Sequence, residues 1–174
     1  MYKLSKYLIV CIGFLFAATN SSAQFKLPHV QLIANAIYAT PTNSSFKDNY
    51  KNGLGAEVGA GFGLGSTMLM GTLGYQGFGN TSGNTAGNLK VTTIKGGLRQ
   101  YFFLGHLFLL GNVGTAIHSY TNNNTTGSKF IYEYGAGARL FGLELQLTQA
   151  HWEQPIAIAA SNAFNVKLGF SFKL

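Results

Sequence analysis

Leu54-Gly55-Ala56-Glu57-Val58-Gly59-Ala60-Gly61-Phe62-Gly63-Leu64 sets an apolar side chain against a glycine or a glutamate at every step. A period of two puts all the apolar members on one face and Glu57 with the glycines on the other, which is the pattern of a strand. The chain's last stretch repeats it, with Val166, Leu168, Phe170, Phe172 and Leu174 opposed to Lys167, Gly169, Ser171 and Lys173.

Carried along the whole chain, the same test predicts eight strands, at residues 30–40, 53–64, 67–77, 91–102, 107–118, 130–141, 143–152 and 163–174. Most are about twice as long as a strand in a water-soluble protein and suit a tilted crossing of a bilayer. Their connectors alternate in length. Gly65-Ser66, Phe103 to His106 and Gly142 are tight, whereas 41–52, 78–90, 119–129 and 153–162 are long, and the first three long ones are rich in Asn, Thr, Ser and Gly. Eight strands joined this way describe an all-β, antiparallel, up-and-down transmembrane β-barrel with both termini on the short-turn side.

Composition narrows the alternatives. Charged residues make up 10% of the 174, with 23 glycines and 14% aromatics, whereas an average globular domain carries about 25% charge. That balance argues against disorder, a coiled coil and an ordinary water-facing surface. The longest charge-free apolar stretch, Tyr7 to Thr19, falls short of the about 20 residues of a spanning helix. Lys3 and Lys6 precede that stretch and Ser21-Ser22-Ala23 follows it, so residues 1–23 read as a cleaved signal peptide and 24–174 as the barrel domain. Cleavage removes Cys11, the single cysteine, and with it any disulfide or thiolate chemistry.

The two faces decide which solvent the barrel occupies. Even positions of 32–38, 54–64, 92–102, 130–140 and 164–174, with odd positions of 69–77, 107–117 and 143–149, contain no charged residue. The opposite face carries Glu57, Lys95, Arg99, Glu133, Arg139, Glu144, Lys167 and Lys173. A soluble, lipocalin-like ligand-binding barrel needs the reverse. A lysine or arginine facing lipid at mid-bilayer costs roughly 2–4 kcal/mol, so the charge-free face is expected outside. Outward Tyr38, Tyr75, Phe130, Tyr132, Tyr134 and Phe164 near the long loops, and Phe62, Phe102, Phe170 and Phe172 near the short turns, then form two aromatic girdles.

On this architecture, residues 28–174 resemble the small eight-stranded outer-membrane β-barrel proteins, the family of the OmpA transmembrane domain and OmpX-like proteins. The terminal strand Phe164 to Leu174 looks like the signal read by the outer-membrane assembly machinery, with Phe170, Phe172 and Leu174 in register; the family commonly ends on phenylalanine instead. The resemblance implies residence in the bacterial outer membrane as a monomer, both termini in the periplasm, periplasmic chaperones and the assembly machinery as partners in biogenesis, and lipid and lipopolysaccharide as surroundings. It also admits a lipid A acyltransferase or deacylase, since some barrels of this size work on lipid A with a serine and a histidine.

The chemistry-bearing residues give three candidates. Glu57, Lys95, Glu133 and Lys167 fall at one height on alternate strands, with Arg99, Arg139 and Glu144 nearer the turns. They make either a conduction path or gate, or a structural network, and the size rule for eight strands favours the network. His118-Ser119 and His151-Trp152-Glu153 are the nearest material for nucleophilic catalysis, but neighbours on a strand face opposite ways, so His118 does not serve Ser119, and no enzyme activity is expected. Lys47, Lys51, Lys90 and Lys129 lie in or beside the long loops, as a basic rim for lipopolysaccharide phosphates or as solubilising charge. Gly59 to Gly65 lacks phosphate-loop spacing. The histidines are scattered, and no metal, cofactor or nucleic-acid partner is expected. The function expected is a side-chain-filled structural barrel with loops available for adhesion or binding.

Overall fold

A computed structural model describes residues 28–81, 87–122, 126–153 and 160–174. The expected signal peptide at 1–23 lies outside them, as does most of the apolar run Gln154 to Ala160. Eight strands, β1 (His29–Pro41), β2 (Tyr50–Leu64), β3 (Thr67–Asn80), β4 (Leu89–Phe102), β5 (Leu107–Tyr120), β6 (Thr126–Leu140), β7 (Leu143–Glu153) and β8 (Ala160–Lys173), close into a barrel in sequence order. All pairs are antiparallel, including β1 with β8, which closes the sheet with Leu32 opposite Phe172 and Ala36 opposite Leu168. Closure gives every strand two partners, so no edge is left to be satisfied by water. Even Leu174 is tied in, its amide donating to the Val30 carbonyl at 2.9 Å.

The strands agree with the expected ones at the short turns and overrun them at the long loops. β6 begins at Thr126 rather than 130 and β2 at Tyr50 rather than 53. Backbone pairing continues there past the point where the strict inside–outside alternation ends, so polar rim residues still occupy a ladder. The turn Phe141-Gly142 has φ of +50° and +86°, the two positive values of a tight hairpin, and Gly65 enters its turn at +66°. The stretch expected as a loop at 41–52 contains a helix, α1 (Ser44–Asn49). It is too short to show periodicity, and what fixes it is Phe46, which is fully buried.

Burial follows the face assignment. Leu54, Val58, Phe62, Leu69, Leu73, Ile94, Leu98, Val113, Leu168 and Phe170 are exposed, while Glu57, Lys95, Arg99, Glu133, Glu144 and Lys167 are buried. A water-soluble calyx is built the other way round. Tyr38, Tyr75, Phe130, Tyr132, Tyr134 and Phe164 are exposed toward one end, and Phe62, Phe170 and Phe172 toward the other, with Phe102 half-exposed. Lys173, expected inward, is exposed because β8 ends there and the barrel opens beside it.

The interior has three levels. At the loop end Phe46 of α1 packs on Tyr50, Phe78 and Trp152, with Leu89, Val91, Tyr120 and Ile131 around them. At the turn end Ile33, Met68, Met70, Tyr101, Phe108 and Leu110 form a second apolar group. Charged side chains occupy the level between.

Candidate functional site

The middle level is built by register. Inward positions of β2, β4, β6 and β8 supply Glu57, Lys95, Glu133 and Lys167, so the signs alternate around the barrel. Lys95 Nζ is 2.7 Å from Glu57 Oε2 and also pairs with Glu133 Oε2. Lys167 Nζ is 2.9 Å from Glu57 Oε1 and 2.6 Å from Glu133 Oε1. Each lysine therefore touches both glutamates, and the four groups make one ring of ion pairs.

Small neighbours make room for these arms. Glu57 faces Gly74 across the β2–β3 ladder and Lys95 faces Gly114 across β4–β5. A Cβ on Gly114 would stand 2.7 Å from the Lys95 Cα, closer than real Cβ atoms come. The remaining acceptor capacity of Glu133 is met by Thr148 Oγ1 at 2.6 Å and Asn112 Nδ2 at 3.4 Å, as a buried carboxylate requires.

Nearer the turns, Arg99 Nη1 donates to Glu144 Oε2 at 2.9 Å and Oε1 at 3.0 Å, and its guanidinium lies 4.3 Å from the Phe108 ring centroid. Gln146 donates to Glu144 at 2.5 Å, and Tyr101 joins Arg99 to Gln31, receiving from Nη1 at 3.2 Å and donating to Oε1 at 2.9 Å. Among the described residues the buried charges are thus Glu57, Glu133 and Glu144 against Lys95, Lys167 and Arg99, equal in number. Arg139 was expected among them. It is half-exposed, one residue from the end of β6, and its guanidinium lies 5.1 Å from the Tyr101 ring centroid, at the margin of the buried set.

The basic rim is dispersed. Lys47 stands on α1, Lys51 at the start of β2, Lys90 at the start of β4 and Lys129 in β6; the first three are exposed and Lys129 is half-buried. The alternate strands β2, β4 and β6 carry three of them around the mouth and α1 carries Lys47, which separates them. In the terminal strand Phe170 and Phe172 are both exposed, with rings stacked at 6.4 Å, and Leu174 follows at the turn-side rim.

The histidines separate as strand parity requires. His118 is buried in the barrel and stacks on Trp152 at 6.3 Å, while Ser119 lies on the outer face. His151 also lies on the outer face, stacked on Tyr132 at 4.8 Å, and its Nδ1 bonds Asn162 Oδ1. A catalytic triad needs a hydroxyl within about 3 Å of the base and an acid behind it; His151 has a ring and an amide in those places. Among the described residues no three His, Cys, Asp or Glu side chains gather in a metal-binding group. The sequence reading missed Phe46, whose one signal was a lone aromatic in a polar segment, and Gln149 and Asn162, which join His151 on the outer face.

No protein-family model matches the chain, nor does any curated protein sequence. Solved structures do. Ail, the attachment invasion locus protein of Yersinia pestis, crystallised with the heparin analogue sucrose octasulfate, superposes with a TM-score of 0.52 at 12% identity over 83% of this chain and 97% of its own. The N-terminal β-barrel domain of Pseudomonas aeruginosa OprF gives 0.58 at 10% identity over 82% and 97%. Neisserial surface protein A gives 0.53 at 11% identity over 86% and 99%. These structures are small eight-stranded outer-membrane barrels, and at such identities the likeness is one of fold.

Proposed function

We propose that this chain is an integral outer-membrane barrel that spans and reinforces the membrane, its lumen filled by its own side chains. The observation that carries the reading is the outer surface: on all eight strands the mid-barrel positions facing outward are apolar or small, while Glu57, Lys95, Arg99, Glu133, Glu144 and Lys167, on five of those strands, are buried within. Only a lipid surrounding makes that arrangement favourable, because an apolar belt of this extent in water would aggregate. The ring of Glu57, Lys95, Glu133 and Lys167, with Arg99 and Glu144 below, serves as an internal brace. Sealed by the Phe46 plug on one side, the lumen conducts no stable current.

In this reading residues 1–23 are cleaved on export, both termini lie in the periplasm, and the barrel acts as a monomer without a cofactor. Periplasmic chaperones deliver the chain, and the assembly machinery reads Phe170, Phe172 and Leu174. The loops carry the outward-directed role. Lys47, Lys51, Lys90 and Lys129 are placed to meet polyanions at the cell surface, of which lipopolysaccharide phosphate is the nearest. That a barrel of the same fold, Ail, was crystallised with the heparin analogue sucrose octasulfate supports a polyanion-binding role for a barrel of this kind. Catalysis on lipid A is not part of the role assigned.

The reading is tested by fractionating cells without detergent and running the outer-membrane fraction, boiled and unboiled, on a gel. A band that shifts on boiling is expected, since a closed barrel resists the denaturant until heated. Recovery in the aqueous fraction would overturn the reading.

A further inference from the structure

On the outer face of β6, β7 and β8, just below the rim, a groove of about 620 Å³ opens toward the surrounding lipid. Two rungs of the ladder build it. Tyr134 lies opposite Gln149 and Gln149 opposite Phe164; one step nearer the rim, Tyr132 lies opposite His151 and His151 opposite Asn162. Among the described residues, the groove lining holds no Lys, Arg, Asp or Glu. Gln149 and His151 are therefore amide and imidazole groups presented to the membrane at the level of the tyrosine girdle, where polar groups are costly unless bonded. Each is half satisfied from within: Gln149 Nε2 donates to Thr42 Oγ1 at 3.1 Å, and His151 Nδ1 is engaged by Asn162. Among the described residues, Gln149 Oε1 and His151 Nε2 have no further hydrogen bond, which leaves them for a partner from outside.

Below the groove the surface changes character in a continuous line. Ala136 and Ala138 on β6 are flanked by Leu109 and Leu107 of β5 and by Leu147 and Leu145 of β7. Two alanines between leucine walls make a shallow furrow running from the polar rungs toward the membrane interior. Polar head above and apolar furrow below describe an amphipathic ligand lying along the barrel.

We infer that this groove binds a glycolipid of the outer leaflet, with the saccharide head on Gln149, His151 and Asn162 between the rings of Tyr132, Tyr134 and Phe164, and an acyl chain in the Ala136–Ala138 furrow. A sugar is selected over a bare phosphate because the lining offers neutral donors and acceptors beside aromatic faces and no cation. The site is separate from the lysine rim, and it rests on the membrane placement proposed above.

The test uses the full chain purified from its membrane and placed in nanodiscs of phosphatidylethanolamine doped with a short-sugar lipopolysaccharide, with bound lipid counted by native mass spectrometry. Wild type is expected to retain the glycolipid over phosphatidylethanolamine, and to go on retaining its dephosphorylated form over phosphatidylethanolamine, any phosphate-dependent part belonging to the lysine rim. The double variant Gln149→Leu, Asn162→Leu is expected to retain about tenfold less, the factor that goes with losing two hydrogen bonds. Ala136→Trp, which fills the furrow and spares the polar rungs, is expected to weaken retention as well, while Leu73→Val, outward on β3 across the barrel from β7, leaves it unchanged. Equal retention by the double variant and wild type, equal retention of phosphatidylethanolamine, or loss of retention on dephosphorylation would each overturn the inference. The heat-shifted band of each variant separates these outcomes from a failure to form the barrel.

Discussion

The ammonium of Lys167, on β8, lies 2.9 Å from Glu57 Oε1, on β2, with β1 between the two strands. Because Lys167 also pairs with Glu133 on β6, one side chain braces strands that share no backbone ladder. Replacing it by methionine leaves both glutamates dependent on Lys95 alone. Removing one partner of a buried pair costs about 3–5 kcal/mol, so Lys167→Met is expected to lower urea stability in lipid vesicles by that order. Adding Glu57→Gln should return part of the loss, since it removes the uncompensated charge. A single-variant cost below about 1 kcal/mol, the range of an exposed ion pair, would mean that the ring is wet and slack.

Phe46 closes the loop end of the barrel through an edge contact with Trp152, ring centroids 5.6 Å apart. Trp152 is the only tryptophan, so the fluorescence comes from this end of the lumen, where Phe46, Phe78 and His118 surround the indole. Phe46→Ala is expected to move the emission to longer wavelength as water reaches the indole. Planar-bilayer recordings of the same variant should still show no stable conductance, because the charged ring remains below. Large steady currents from Phe46→Ala would assign the closure to the plug rather than to the ring.

Strand parity carried most of what was legible in the sequence. It sorted Glu57, Lys95, Glu133 and Lys167 to one face, and counting from the short turns put them at one height, since those turns are too tight to allow register slip. It did not reveal that each lysine touches both glutamates, because shear determines how inward positions on separate strands stack. Arg139 illustrates the limit: its parity matches that of Glu133, yet at the strand's end the barrel no longer encloses it. The helix at Ser44–Asn49 was hidden for another reason. Ser, Asn and Asp favour turns, and only the burial of Phe46 on tertiary contacts made the segment helical. The groove was invisible because Gln149, His151 and Asn162 become neighbours only across the β7–β8 pairing.

Gly114 and Gly71 make a matched pair of substitutions. A Cβ at 114 meets the backbone of β4, 2.7 Å from Lys95 Cα, whereas at Gly71 nothing lies within 4 Å. Gly114→Ala is expected to cost about 1–3 kcal/mol by forcing β4 and β5 apart. Gly71→Ala, outward on β3, should be neutral or stabilise by about 0.4–1 kcal/mol through the unfolded chain. Urea titrations of the two variants side by side check this, and equal effects would show that the inward glycines are not there for space.

Phe170 and Phe172 stack on the outer face of the last strand. If that face is what the assembly machinery reads, Phe172→Ala should reduce the amount of barrel recovered from the outer membrane while leaving refolding into vesicles nearly unchanged. Measuring both separates a biogenesis signal from a stability contribution. A loss of vesicle refolding equal to the loss in cells would assign Phe172 to stability alone.

Ile94 and Lys95 are adjacent in β4, yet Ile94 is 52% exposed on the outer face while Lys95 is 6% exposed in the lumen. The one-residue difference makes a sharp test of the surrounding solvent. In a water-facing barrel, arginine at 94 would join an exposed surface and change stability by no more than about 0.5 kcal/mol. In a bilayer, the same arginine sits near the middle of the apolar belt and costs about 2–4 kcal/mol, less whatever it recovers by bending toward the head groups. Ile94→Arg is therefore expected to destabilise the barrel in vesicles by that amount, and Lys90→Arg, nearer the rim of the same strand, by almost nothing. Tolerance of Ile94→Arg in vesicles would remove the lipid from the outer face and with it the reason for burying the charges.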